Sequence, residues 1–337
     1  MSIKQLAAEL GISVSTVSKA LNGYTDVSPK TIKRVTEAAK ASGYIPNSVA
    51  RNLVTGKSRT IGIVLPVPRT NFIDPFFSTL LAGASHRFLD KDYLLTATAI
   101  PTGDKEADRY ERFLRSGHYD GLILLRTRCQ DTRIDRLLKA DLPFVCYGRT
   151  EKSDNYAWLD MDNEEAFYMA MNRLLKNNHR NIAFFNAHET LFFTGLRKKG
   201  VWKAMGDHGF KLDPHRYIVT EISEPAAKSA AAELLTRDNA ITAFLCCTDT
   251  QAIGVMAACK EAGLKVGKDI SVIGCDNNPQ GPFCDPPLTS LQHGSVMDIG
   301  KKLADMLLLR ITGTPVTELQ VLMQPEWVER ESDCVCL

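Results

Sequence analysis

Two hydrophobic rhythms divide the chain. Near the N-terminus Ile3, Leu6, Ala7 and Leu10 recur at the i, i+3, i+4, i+7 spacing of a helix with one buried stripe, and Gly11 stands where that helix must stop in a left-handed turn. Ser13 is placed to cap a second helix over 14–21. That helix turns Val17 and Leu21 inward and leaves Val14, Ser15, Ser18 and Lys19 to a partner, and Gly23 closes it. Ser28 and Pro29 open a third helix with Ile32, Val35 and Ala39 inside and Gly43 as its stop. Two helices across a short glycine-containing turn are the sequence form of a helix-turn-helix, whose second helix has the width to enter the major groove. Val14 is able to touch a thymine methyl there and Ser15 to hydrogen-bond a base edge.

From Thr60 the rhythm changes to short apolar runs at 60–65, 93–99, 121–125, 144–147, 181–185, 217–221, 243–247 and 271–275, separated by helical stretches. Trp158, Asp160 and Asp162 add an alternating strand face. This is the pattern of parallel βαβ units. Its repeats are too many for one sheet and fit two doubly wound lobes with a cleft between them, where ligands gather at the carboxyl ends of the strands.

Composition narrows the class. The 337 residues fill about two domains of roughly 150 residues each. With 44% hydrophobic and 24% charged residues the chain has ordinary globular usage, which excludes disorder and coiled-coil architecture. The longest apolar stretch, 61–65, is far below the roughly 20 residues that span a bilayer, so no membrane partner is expected. Residues 1–21 carry Glu9 and polar side chains where an export signal needs an apolar stretch, so the expected location is cytoplasmic. Nine cysteines are an odd number for a disulfide framework and are expected as free thiols; Cys246 and Cys247 fall in a core strand, and Cys334 and Cys336 lack zinc-finger spacing. No metal or cofactor is expected. The first strand lacks a dinucleotide fingerprint, 263–268 only approximates a phosphate loop, and neither H-E-x-x-H nor G-x-S-x-G occurs, so an enzyme is not expected.

Charge is unevenly placed. Residues 1–60 hold nine Lys or Arg against Glu9, Asp26 and Glu37, a net +6, which leaves the remainder of the +2 chain at −4. A basic helix-turn-helix on a mildly acidic body is expected to grip a polyanion while the body does something else.

The residues then carry a signature: IKQLAAELGIS at 3–13, TVSKALNG at 16–23, GYIPN at 43–47 and ARNL at 50–53, followed by TIGIVLP at 60–66, DPFF at 74–77, Asp120-Gly121, Gly148-Arg149, Asp162-Asn163, Thr248-Asp249, IGCD at 273–276 and RES at 330–332. Over nearly the whole length this resembles the lactose-repressor (LacI/GalR) family of bacterial transcription regulators. The resemblance implies an all-α helix-turn-helix head on an α/β core of two doubly wound parallel-sheet lobes, like a periplasmic binding protein. It implies a DNA-binding domain at 1–45, a hinge helix and linker at 46–59, and an effector-binding and dimerisation core at 60–337. In that core the N-lobe takes about 60–160 plus 292–323, and the C-lobe about 161–291 plus 324–337. The implied protein is a homodimer on a palindromic double-stranded operator, a repressor of carbohydrate-uptake or catabolic genes whose grip is changed by a sugar or sugar-phosphate between the lobes. The alternative is a small-molecule binding protein without a DNA role.

By the same resemblance DNA is met by Ser13, Val14, Ser15, Thr16, Ser18, Lys19, Asn22, Asn47, Ala50, Arg51 and Leu53, with Leu53 as an apolar wedge in the minor groove. The effector is met by Asp74, Phe76, Phe77, Arg126, Arg197, Thr248 and Asp276. Asp276 would accept hydroxyl hydrogens, Arg197 would fork onto two hydroxyl oxygens, and one of the phenylalanines would stack on a sugar face. Gly148 and Thr248 stand where family members often carry aspartate and asparagine, and Gly148-Arg149 with Arg126 makes the expected cleft more basic.

Overall fold

The computed structural model describes residues 2–21, 24–44, 57–67, 75–101, 106–116 and 119–336. They form two compact units, Met1–Arg59 and Thr60–Leu337.

The first unit has three helices among its described residues, α1 (Ile3–Leu10), α2 (Val14–Leu21) and α3 (Pro29–Ala41). Ser2 and Gln5 form a reciprocal cap at the start of α1, and Gly11 ends it in the left-handed conformation at φ +64°. Ser13 Oγ accepts the Thr16 amide at 3.0 Å and starts α2; Ser28 does the same for α3 through Thr31, with Pro29 at the first position. The stripes predicted from spacing meet in one small core of Leu6, Ala7, Val17, Ala20, Val27, Val35 and Ala39, with Ile3, Leu10, Leu21 and Ile32 packed around it.

The second unit holds two six-stranded sheets. The first, order β11-β5-β4-β3-β1-β2, joins β1 (Thr60–Val67), β2 (Leu94–Pro101), β3 (Gly121–Leu125), β4 (Phe144–Tyr147), β5 (Ala157–Met161) and β11 (Gln320–Met323), all parallel. The second, order β12-β10-β9-β8-β6-β7, joins β6 (Ile182–Asn186), β7 (Tyr217–Val219), β8 (Ala243–Cys246), β9 (Ser271–Cys275), β10 (Thr289–Gln292) and β12 (Glu326–Val328), with β12 antiparallel. Helices cover both sheets: α4 (Pro75–Leu89), α5 (Glu106–Ser116) and α6 (Thr132–Lys139) follow the early strands, and α7 (Asn163–Lys176), α8 (Phe192–Asp207), α9 (Glu224–Arg237), α10 (Asp249–Glu261) and α11 (Val296–Ile311) the later ones. Central strands β3, β5, β6, β8 and β9 are buried along their length, as parallel strands covered on both faces require.

The chain passes between the sheets three times, after β5, after β10 and between β11 and β12. The β10-to-α11 passage brings α11 against α4, where Gly83 meets the carbonyl of Met297 and Gly300 that of Leu80. A Cβ at either glycine would collide with main chain, so this close helix crossing needs both. Strands β10, β11 and β12 are three or four residues long and mix polar with apolar residues, so they lack the apolar run that marks the central strands.

All nine cysteines are unpaired. Among the described residues no helix is long and apolar enough to cross a membrane, and no group of His, Cys, Asp and Glu is placed to hold a metal.

Candidate functional site

On the first unit the start of α2 is the exposed edge of the helix-turn-helix. Ser13, Val14 and Ser15 are exposed, and Thr16, Ser18 and Lys19 are half-buried beside them. Lys19 pairs with Asp26 at 2.5 Å across the loop that follows α2. Both side chains are about half exposed, so solvent screens the pair. Asn22, Asn47, Ala50, Arg51 and Leu53, with the expected hinge helix, lie outside the described residues.

On the second unit the carboxyl ends of the strands in both sheets face one cleft of about 780 Å³. Of the effector residues expected from sequence, Phe76, Phe77, Arg126, Arg197, Thr248 and Asp276 all line it; Asp74 lies outside the described residues. One wall is aromatic. Phe76 packs edge-on to Phe77 and tilted against Tyr147, and the Arg126 guanidinium lies over the Phe77 ring at 4.9 Å.

The opposite wall is polar and centred on Arg197 of α8. The residue is 5% exposed, so it is no surface charge like its neighbour Lys199. Arg197 Nε donates to Asn163 Oδ1 at 2.7 Å, another nitrogen donates to the Cys247 carbonyl oxygen, and a third stands 3.6 Å from Asp276. The flat guanidinium is held between the rings of Phe193 and Phe167. Burial opposes its charge, but the Asp276 carboxylate beside it raises the pKa above its ordinary value, and Arg197 stays protonated.

Asp276 directly follows β9 and adopts φ +98°, a conformation that costs a non-glycine residue about 1–3 kcal/mol and is found where function fixes the backbone. Burial lifts its pKa above the usual carboxylate value, with Arg197 working against that lift. Asp249 is pushed further, to about 8, by burial and by the Asp276 charge, although Ser290 Oγ and the Asn278 amide both donate to it. Thr248 caps α10 through the Gln251 amide. It therefore serves the helix and the lining at once.

Two further arginines divide. Arg126 reaches the lining from the residue after β3, at φ +52°. Arg149 instead pairs with Asp160 at 2.9 Å and stacks on Trp158, so its charge is spent inside the first lobe. The cleft is less basic than the sequence alone led one to expect. Sequence reasoning passed over Tyr147, Asn163, Phe193 and Asn278 as lining residues. Tyr147, Asn163 and Asn278 share the signal of position, at or within three residues of the carboxyl end of a strand, whereas Phe193 sits in the first turn of α8.

These observations match known proteins over the full length. The model "Bacterial regulatory proteins, lacI family" matches residues 2–47, and "Periplasmic binding protein-like domain" matches residues 171–332. The HTH-type transcriptional regulator AglR of Rhizobium meliloti (strain 1021) is 33% identical, covering 98% of this chain and 94% of its own. The chain belongs to the LacI family.

Another relative of this LacI-family regulator, the HTH-type transcriptional regulator RafR of Escherichia coli, is 32% identical over 96% of both chains. This chain shares the fold of a chain in the structure of the lac repressor dimer bound to operator and the anti-inducer ONPF, with a TM-score of 0.84 and 22% identity over 99% of each chain. The transcriptional regulator CelR in complex with cellobiose shares the fold at a TM-score of 0.74 and 24% identity, covering 99% of this chain and 100% of that one. Gly148 of the lining has φ +101°, and a Cβ there would meet Thr127 Oγ1, so the position suits glycine.

Proposed function

We propose that this LacI-family regulator is a homodimeric repressor of carbohydrate-uptake or catabolic genes, and that a sugar held in the cleft changes its grip on a palindromic operator. The observation that carries the effector class is the facing of an aromatic wall, Phe76 with Tyr147, against Arg197 and Asp276. Sugars present apolar C–H faces to rings and hydroxyls to carboxylate and guanidinium groups. The cellobiose bound by CelR supports the same class. With Asp160 paired to Arg149 and Asp249 mostly protonated at neutral pH, the lining leaves Arg126 and Arg197 facing Asp276, and it is the uncharged cellobiose of CelR that favours a neutral sugar over a phosphorylated one.

In this proposal residues 1–45 bind DNA, with Val14 and Ser15 reading base edges in the major groove. Residues 46–59 form the conditional hinge, with Leu53 as its wedge, and 60–337 bind the effector and pair the protomers. A single small head covers only part of the roughly 1,000–2,500 Å² that specific DNA interfaces bury, which favours two heads on one palindrome. The role is regulatory rather than catalytic and is exercised where the chromosome is, in the cytoplasm. Binding that shifts the separation of the two hinge segments couples cleft to operator, and a coupling of about 1–3 kcal/mol changes affinity some 5- to 150-fold.

The test is a thermal-shift screen of the full chain against neutral sugars and their phosphates. A neutral mono- or disaccharide that raises the melting temperature supports the proposal, because ligand binding to the folded state stabilises it. Stabilisation by sugar phosphates only would reverse the charge assignment.

A further inference from the structure

Tyr147 ends β4 and lines the cleft, and its ring is flanked by Phe76 at 5.5 Å and by His293 at 5.8 Å, the latter nearly parallel at 14°. The Tyr147 hydroxyl and His293 Nε2 are 2.6 Å apart. His293 is the residue after β10, in the passage that carries the chain from the second sheet to Ser295, the cap of α11. His293 is 6% exposed, and its buried Nδ1 has no hydrogen-bond partner among the described residues.

A neutral imidazole has one N–H donor and one acceptor nitrogen, so the orphaned Nδ1 constrains which is which. Burial and the charge of Arg197 keep His293 neutral, with a pKa lowered to about 3. With the proton on Nδ1, a buried N–H would have no acceptor, and Tyr147 would have to donate its hydroxyl hydrogen to Nε2. With the proton on Nε2, the unpaired atom is only a lone pair, and buried acceptors go unpaired more readily than buried N–H groups. Nε2–H then donates to the phenol oxygen, and the phenol hydrogen is released for another acceptor. The phenol keeps that hydrogen, because burial and the charge of Asp276 raise its pKa well above 10.

We propose that Tyr147 is a ligand-binding residue whose O–H donates to an acceptor oxygen of the cleft's ligand, and that His293 is the positioning residue that fixes this polarity. It rests on the cleft being the effector site. A ligand oxygen between Tyr147 and the acceptor Asp276 would receive a hydrogen bond from one and give its own to the other, which selects a hydroxyl and disfavours an ether or an amine at that point.

The first measurement needs no ligand. In the full chain labelled with ¹⁵N-histidine, and with the His293 signals assigned by their loss in His293→Gln, Nε2 should be protonated and Nδ1 bare from pH 5 to 8. The reverse tautomer, or an imidazolium in that range, overturns the proposal. The second is calorimetry with glucose, galactose, maltose, cellobiose, lactose and melibiose. For any of these that binds the wild type, Tyr147→Phe should weaken binding about 3- to 10-fold. His293→Gln, whose amide keeps a donor, should stay within about twofold, and His293→Leu should lose as much as Tyr147→Phe. Equal affinity of wild type and Tyr147→Phe overturns the ligand contact. If none of the six binds, the tautomer decides the polarity by itself, and the thermal-shift screen decides the carbohydrate reading.

Discussion

The amide of Phe192 donates to the carbonyl oxygen of Thr127 at 3.1 Å, joining the first turn of α8 in the second lobe to the loop after β3 in the first. A second main-chain bond, from the Cys129 amide to the Thr190 carbonyl oxygen at 3.0 Å, runs beside it. Thr127 and Phe193 both line the cleft, so this pair of bonds ties the lobes together at its edge.

Phe192 is the first residue of α8, a position that tolerates proline because the amide has no partner within the helix. Phe192→Pro therefore removes the tie while sparing the helix, and Phe192→Ala is its control. One hydrogen bond contributes about 0.5–1.5 kcal/mol. Hydrogen exchange of the Cys129 amide should be faster by roughly 2- to 10-fold in the proline variant than in the alanine one. Equal rates would show that the tie contributes nothing to closure.

Arg197 holds Asn163, the Cys247 carbonyl and Asp276 at once. Arg197→Met removes the cation and leaves a buried carboxylate without its partner, a change that costs about 3–5 kcal/mol in buried pairs. The melting temperature should fall by several degrees and the effector response should vanish. Asp276→Asn keeps the shape and should lose the response with much less loss of stability. A normal response in either variant would place the effector elsewhere.

Asp249 gives stability a pH dependence of known sign. Its pKa, near 8 when folded, lies above the ordinary carboxylate value, so its contribution is complete below about pH 4 and is lost as pH rises through 8. His293, held near 3, acts in the opposite sense: its contribution is present above about 6.5 and is lost as pH falls toward 3. Between pH 6.5 and 8 only Asp249 of these two titrates. Wild-type melting temperature should decline over that interval more steeply than that of Asp249→Asn, and parallel declines would contradict the shift.

Gly300 touches the Leu80 carbonyl where α11 crosses α4. Gly300→Ala should cost about 1–3 kcal/mol, the usual price of overpacking, read by urea denaturation. An unchanged midpoint would mean the crossing has slack.

Much of the molecule was legible in the sequence, and for identifiable reasons. Ser13, Gly11 and Ser28 act at helix ends as their chemistry requires, and the runs at 121–125, 144–147 and 271–275 are strands to the residue. Such features depend on neighbours within a few positions. The run at 217–221 overshoots, since β7 stops at Val219, and the polar strands β10 to β12 gave no run of their own, because their pairing is fixed by partners far along the chain. In the cleft, Phe76, Arg197 and Asp276 stood out by their motifs. Tyr147 did not, because a tyrosine at a strand end looks like core until His293, 146 positions away, is seen against its hydroxyl.

The central claim is that a basic head grips a specific duplex and the cleft decides how firmly. Selection of bound sequences from random duplexes by the full chain, followed by titration of the selected duplex at 150 mM salt with and without the sugar that stabilises the protein, tests it most directly. The account predicts a palindrome, an affinity that falls steeply with salt, and a change of about fivefold or more on adding the sugar. It predicts too that Leu53→Ala weakens this binding while leaving sugar affinity intact. Recovery of no preferred sequence, or an affinity for the selected duplex that no sugar alters, would contradict it.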